Sequence, residues 1–218
     1  MTTSTLGFAI LGLLAREPCS GYQLAARLRA PVGYYWTARH SQIYPELERL
    51  RAAGLVSFEV APGPGPRDKK VYATTESGLA ALREWVTQPP APHTPRDELL
   101  LKVYAIWLAD PAGAVVMVSG QAEAHAERLA EYEAIRTRVH ARQGGGPPPV
   151  ASPEFGSYAT LVLGISHERD HLDWCRWLVA CLETGTVPER PRAGAAQVAA
   201  PRAGQERNDP FAQRPGGW

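Results

Sequence analysis

Residues 20–75 switch between helical and strand periodicity in an order that few folds accommodate. The stretch SGYQLAARLRA carries Tyr22, Leu24, Ala25 and Leu28 at helical spacing. An aromatic-rich connector follows, then HSQIYPELERLRAAGLV, with an inner stripe of Ile43, Leu47 and Leu50. Residues 55–60 alternate as a strand, residues 62–70 are a Gly- and Pro-rich turn, and residues 71–74 return as a second strand. A short helix, a second helix with a polar and basic leading edge, and a charged two-stranded ribbon are the layout of a winged helix-turn-helix. That layout implies recognition of duplex DNA.

Local chemistry supports the boundaries. Ser20 with Gln23 three residues on forms a capping box, and residues 30–33 (APVG) stop that helix. Ser41 is the expected cap of the third helix, which places Pro45 in its first turn, where a missing N–H is tolerated. Gly54 ends the helix as a residue able to take positive φ. Upstream, Leu6, Ile10, Leu13 and Leu14 predict a first helix over residues 3–15. Thr75 is the expected cap of a fourth helix with Leu79, Leu82 and Val86 on its apolar face.

Residues 88–95 are a Pro-rich linker and a domain boundary. Beyond it, residues 97–108 read as an amphipathic helix with Leu99, Leu100, Val103, Ile106 and Trp107 inward. Pro111 opens a long helix whose stripe is Val115, Val118, Ala122, His125, Leu129, Tyr132, Arg136 and Val139, the alternating spacing of a coiled-coil seam. GGGPPP within residues 143–149 interrupts it. A further helix over 154–183 continues the pattern with Leu161, Ile165, Leu172, Val179 and Leu182. A seam this regular on so few helices predicts burial against a second copy of the chain. The reading is therefore mainly α with a small β-wing: an N-terminal winged helix-turn-helix over 1–88, a C-terminal α-helical dimerisation domain over 96–185, and a disordered tail over 186–218.

Charge distribution agrees. Residues 1–88 hold 10 basic against 7 acidic side chains, and residues 89–187 hold 8 against 12, so the basic excess lies with the DNA-reading segment. Cys19, Cys175 and Cys181 match no zinc-ligand spacing and read as reduced thiols of a cytoplasmic protein. The opening apolar run lacks a basic leader and reads as a buried helix rather than a targeting segment. No run is long enough to span a bilayer.

Arg39, His40, Ser41, Gln42 and Tyr44 stand at the leading edge of the third helix, with Arg49 one face further on. A helix N-terminus attracts phosphate. Gln42 can pair bidentately with adenine, and Arg39 with guanine or phosphate. Tyr44 can bond a phosphate or pack against sugar. Arg67, Lys69 and Lys70 charge the tip of the wing. A solvated helix start and an ordinary charged turn are the plainer readings of these two sets.

These residues also carry a resemblance. ILGLLAREPCSGYQLAARL, HSQIYPELERLRAAGLV and GPRDKKVYATTESGLAAL together resemble the PadR family of bacterial transcriptional regulators over residues 6–86. Segment 97–184 looks like that family's helical dimerisation region, although GGGPPP and the long tail depart from its simplest members. The resemblance implies a homodimeric repressor that leaves its operator when a small molecule or another signal acts. It also implies DNA contacts from Tyr22, Ser41, Gln42, Tyr44 and the basic wing residues.

Other signals compete. His167-Glu168-Arg169-Asp170-His171 fits the zinc-hydrolase pattern H-E-x-x-H. Its Arg-Asp centre and the absence of a placed third ligand argue against metal, and a polar face of the dimer helix is the plainer reading. A transcriptional activator of another winged-helix family is a further alternative. His125 reads as a satisfied interface histidine. Tyr34, Tyr35, Trp36, Trp107, Trp174 and Trp177 could wall an effector pocket, with ordinary core packing as the competing reading. No phosphate loop, nucleophile elbow or paired carboxylates appear, so no enzyme, cofactor or metal is expected. The expected partners are operator DNA, a second copy and a small-molecule effector.

Overall fold

The computed structural model describes residues 3–29, 40–62, 68–91 and 97–190. Along the chain run α1 (Thr5–Leu14), β1 (Cys19–Ser20), α2 (Gly21–Arg29), α3 (His40–Ala52), β2 (Val56–Ala61), β3 (Lys69–Thr74) and α4 (Glu76–Trp85). Then come α5 (Glu98–Tyr104) with a 3-10 turn at Ile106–Leu108, α6 (Pro111–Arg142) and α7 (Pro153–Thr184). The fold is mainly helical, with a small antiparallel sheet.

The N-terminal core lies between α1, α2 and α3, where Ile10, Leu11, Leu24, Ile43 and Leu47 are fully buried. Each such side chain contributes about 1.5–3 kcal/mol through apolar burial. Glu46 faces the same core at 3% exposure. A buried carboxylate needs partners: Ser4 Oγ donates to its Oε1 at 2.6 Å, and Arg49 Nη1 donates to its Oε2 at 2.5 Å. Ser4 also caps α1 by accepting the Gly7 N–H.

The sheet corrects the two-stranded expectation. Its order is β1-β3-β2, with Cys19 opposite Tyr72 and Ser20 opposite Val71. Strand β3 begins at Lys69, because Lys69 and Lys70 pair with Ala61 and Val60. These lysines therefore stand in the ladder, below the tip they were expected to occupy. Ser41 lies inside α3 rather than capping it, and Pro45 is thus past the first turn. Gly54 takes φ 71, and the Leu55 N–H reaches back to the Leu50 carbonyl at 2.9 Å. Thr75 Oγ1 accepts from the Gly78 N–H and donates to the Gly54 carbonyl at 2.7 Å, tying the exit of α3 to the start of α4. Val86 lies just past α4 and is 63% exposed rather than buried.

In the C-terminal part, His140 meets Tyr158, Tyr132 clusters with Leu161 and Ile165, His125 meets Glu168, and Val118 clusters with Cys175. The two long helices thus form an antiparallel hairpin. Part of the stripe expected to form a dimer seam is filled from within the chain. Val118, His125, Tyr132, Leu161, Ile165 and Leu172 are buried within a single chain. The cause is the loop: Gly144 and Gly145 take φ 75 and 105, and the Gly145 N–H returns to the His140 carbonyl. That reversal folds α7 back along α6. Val115, Ala122, Leu129 and Val179 stay half-buried, and Ala122 and Val179 line an outer groove of about 310 Å³ with Leu172 and Arg176.

Helix α5 also departs from expectation. Leu99, Val103 and Ile106 are half-buried, but Leu100 and Trp107 are 53% and 79% exposed. Of residues 186–218, the described part lies against α7: Trp177 Nε1 donates to the Pro188 carbonyl, and Arg190 bonds Asp170. The disorder expected from 191 onward falls outside the described residues. Among the described residues no helix is long and apolar enough to cross a membrane.

Candidate nucleic-acid interface

A concave face of about 700 Å³ opens where the start of α2, the outer side of α3 and the wing converge. Its lining includes Tyr22, Gln23, Tyr44, Glu48, Lys69 and Lys70. The capping box fixes the α2 edge: the Gln23 N–H donates to Ser20 Oγ, and the Ser20 N–H donates to Gln23 Oε1 at 2.9 Å. Gly21 then lets α3 approach. A Cβ placed there would meet the Tyr44 ring at 2.6 Å, so the missing side chain is what seats that ring beside α2.

Tyr22 is 76% exposed and Tyr44 44% exposed, and Ser41 and Gln42 are exposed on the first turn of α3. Lys70 Nζ lies 3.8 Å from Glu48 Oε1 and 4.3 Å from the centre of the Phe58 ring. Such a surface pair contributes at most about 1 kcal/mol. It orients the ammonium on the concave face without neutralising the wing, since Lys69 is exposed beside it. Arg49 keeps an exposed side chain but is anchored to buried Glu46, which fixes where its remaining donors point. Arg39 and Arg67, expected on this face, lie outside the described residues, as does the side chain of His40. The structure thus gathers Tyr22, Tyr44, Lys69 and Lys70 onto one surface from three segments, while Ser41 and Gln42 are exposed at the start of α3. Sequence reasoning missed Glu46 and Gly21. Glu46 had no signal, because its partner Ser4 is 42 residues away.

Residues 10–84 match the model of the transcriptional regulator PadR-like family, and residues 95–183 match that of the virulence activator alpha C-terminal region. Over 179 residues the chain is 31% identical to the negative transcriptional regulator PadR of Bacillus subtilis, spanning 82% of this chain and 97% of that one. The chain belongs to the PadR family.

The structure of Bacillus subtilis PadR in complex with operator DNA resembles this PadR-family chain with a TM-score of 0.74 at 30% identity, over 82% of this chain and 99% of that one. The same protein in complex with p-coumaric acid gives 0.69 at 31% identity, over 83% and 99%. The Vibrio cholerae virulence activator AphA gives 0.65 at 26% identity, over 84% and 100%.

In this PadR-family chain the HERDH segment does not form a hydrolytic site. Glu168 turns into the α6–α7 core at 7% exposure, where its Oε2 meets His125 Nδ1 at 2.6 Å and accepts from Arg128 Nε at 3.1 Å. Burial pushes the Glu168 carboxyl up, but the bonds from His125 and Arg128 prevail and hold it below the usual range. A carboxylate engaged in this way is not placed to act as a base beside His167 and His171, whose rings lie 4.0 Å apart. Burial, followed by the nearby His171, holds His167 below the ordinary histidine value.

Among the described residues, the three tryptophans of the expected effector pocket differ in their surroundings. Trp174 and Trp177 pack against Val118, Cys175 and Leu178, while Trp107 is 79% exposed. It is exposed because α5 ends at Tyr104 and the tighter 3-10 turn points Trp107 outward. Tyr34, Tyr35 and Trp36 lie outside the described residues.

Proposed function

We propose that this PadR-family regulator is a homodimeric repressor that holds duplex operator DNA on the α2–α3–wing face and releases it when a small molecule binds. The observation that carries the reading is that face itself, where Tyr22, Tyr44, Lys69 and Lys70 converge, with Gln42 exposed on the first turn of α3. Bacillus subtilis PadR is described as a negative regulator, and its structures hold operator DNA in one case and p-coumaric acid in another, which supports both halves of the proposal. Helix α3 enters the major groove. Gln42 reads base edges together with Arg39, while Tyr22, Tyr44, Arg49 and the basic wing residues hold phosphate.

The dimer is proposed from α5. Leu101, Tyr104, Trp107 and Leu108 are 71%, 86%, 79% and 70% exposed, an apolar face on the described residues. A second copy covers it and sets two readers about 34 Å apart, one turn of DNA. The protein acts in the cytoplasm, where its operator is.

Mobility shifts on the protein's own promoter region test the reading. Binding should weaken by about 10³-fold or more between 50 and 200 mM salt, as phosphate contacts require. Absent or salt-insensitive binding overturns it. The likeness to AphA favours a second reading, an activator. A footprint upstream of the promoter elements would support activation, and one overlapping them supports repression.

A further inference from the structure

Arg16 stands one residue past the C-cap of α1, and its side chain reaches the C-terminal hairpin. Its Nη2 donates to the Pro153 carbonyl at 2.6 Å and to Ser157 Oγ at 3.0 Å, both in the opening turns of α7. Helix stability does not account for this pairing. A helix start is the positive end of its dipole and repels a guanidinium. The Pro153 carbonyl is also placed to accept an ordinary helical bond from the Ser157 N–H. The contact instead joins two bodies that are far apart in sequence.

Helix α1 turns that joint into a mechanical link. Its opposite end is fixed to α3 through Ser4 Oγ and Glu46 Oε1 at 2.6 Å. Between the two ends, Ile10, Leu11 and Leu14 bury its inner face. About 15 Å of hydrogen-bonded helix therefore separates a contact with α7 from a contact with α3. A shift in the first turn of α7 reaches α3 along it.

We propose that Arg16 is a positioning residue that sets, through α1, the orientation of α3 on the C-terminal hairpin. The proposal rests on the DNA-binding reading above, and in a dimer its effect is to fix the separation of the two α3 helices.

The test uses duplexes selected from a random pool by the wild-type chain, then rebuilt with one base pair inserted between the half-sites. Wild type should lose about tenfold or more in affinity on insertion, because the second half-site moves and rotates away. Arg16→Ala should bind the uninserted duplex within about threefold of wild type yet lose less than about threefold on insertion. Arg16→Lys, which keeps one donor group, should fall between them. Equal insertion penalties in wild type and Arg16→Ala overturn the proposal. Should Arg16→Ala fail to fold, Ser157→Ala and Arg16→Lys weaken the same contact and are read the same way. Hydrogen exchange on the DNA-free chain is the second readout: Arg16→Ala should speed exchange together at the end of α1 and the start of α7, and leave the far end of α7 unchanged. If the wild-type chain selects no duplex, the DNA reading falls and exchange decides the link, with unchanged rates overturning it.

Discussion

His125 Nδ1 and Glu168 Oε2 stand 2.6 Å apart between α6 and α7, each side chain only 9% exposed. Two lone pairs do not approach so closely, so a proton lies between them. Glu168 is held in its charged form, which assigns that proton to His125 Nδ1. The ring nitrogen therefore cannot also accept from Arg128 Nη2, 2.9 Å away, and the useful bond from Arg128 is the one its Nε gives Glu168. Removing the carboxylate strands a buried imidazole and half-buried guanidinium. Glu168→Ala should cost about 3 kcal/mol in chemical denaturation; a loss under about 1 kcal/mol would mean the pair does not hold the hairpin together.

Acid should loosen the same region. His167 sits below its ordinary value of 6.5, so the folded chain prefers the neutral ring, and the unfolded chain takes up the proton first as pH falls. Stability therefore declines below about pH 6.5. Glu168 sits below its ordinary 4.5, so its contribution is complete above that pH and is lost as pH falls through the folded value. Both act in one direction. Melting temperature should hold between about pH 8 and 7 and fall steadily below about 6.5. His167→Gln should flatten the upper part of that fall, and an unchanged profile would assign it to other groups.

Wing and helix should separate in their effects on DNA. Lys69→Ala and Lys70→Ala should each reduce the slope of log affinity against log salt by about one, across all sequences. Gln42→Ala should instead relax preference at one position by about 1–3 kcal/mol, read from sequences selected out of a random pool. A uniform loss from Gln42→Ala would make it a backbone contact.

Gly21 is a packing requirement of the reading surface. Gly21→Ala pushes the Tyr44 ring away and should weaken DNA binding by roughly tenfold, with the melting temperature nearly unchanged. Retained binding would show that Tyr44 does not touch DNA.

Tyr104→Glu together with Trp107→Glu should convert the proposed dimer to a folded monomer in sedimentation. Circular dichroism should stay helical, since neither side chain serves the α6–α7 core. A dimer that survives both changes places the interface elsewhere.

The reading module was legible because its signals are local. The Ser20–Gln23 box, Gly54 and the Thr75 cap each use neighbouring residues, and all three took their expected geometry. Strand β1 was not legible, since two residues carry no alternation. The seam was legible as a buried stripe but not in its partner. Periodicity states that Tyr132 and Ile165 are covered, and it is the left-handed Gly144 and Gly145 that make the covering intramolecular. Arg16 carried no signal at all, because its partners lie 137 and 141 residues away.

Because much of that stripe is covered within one chain, the proposed dimer would join subunits that are already folded. Pairing is then a docking of finished bodies, unlike obligate dimers whose monomers do not stand alone. Subunits can change partners without unfolding. In a cell that makes two versions of this chain, such a dimer should form mixed pairs by exchange, and a copy with a damaged α3 should disarm a sound one. Such a defect will behave genetically as dominant.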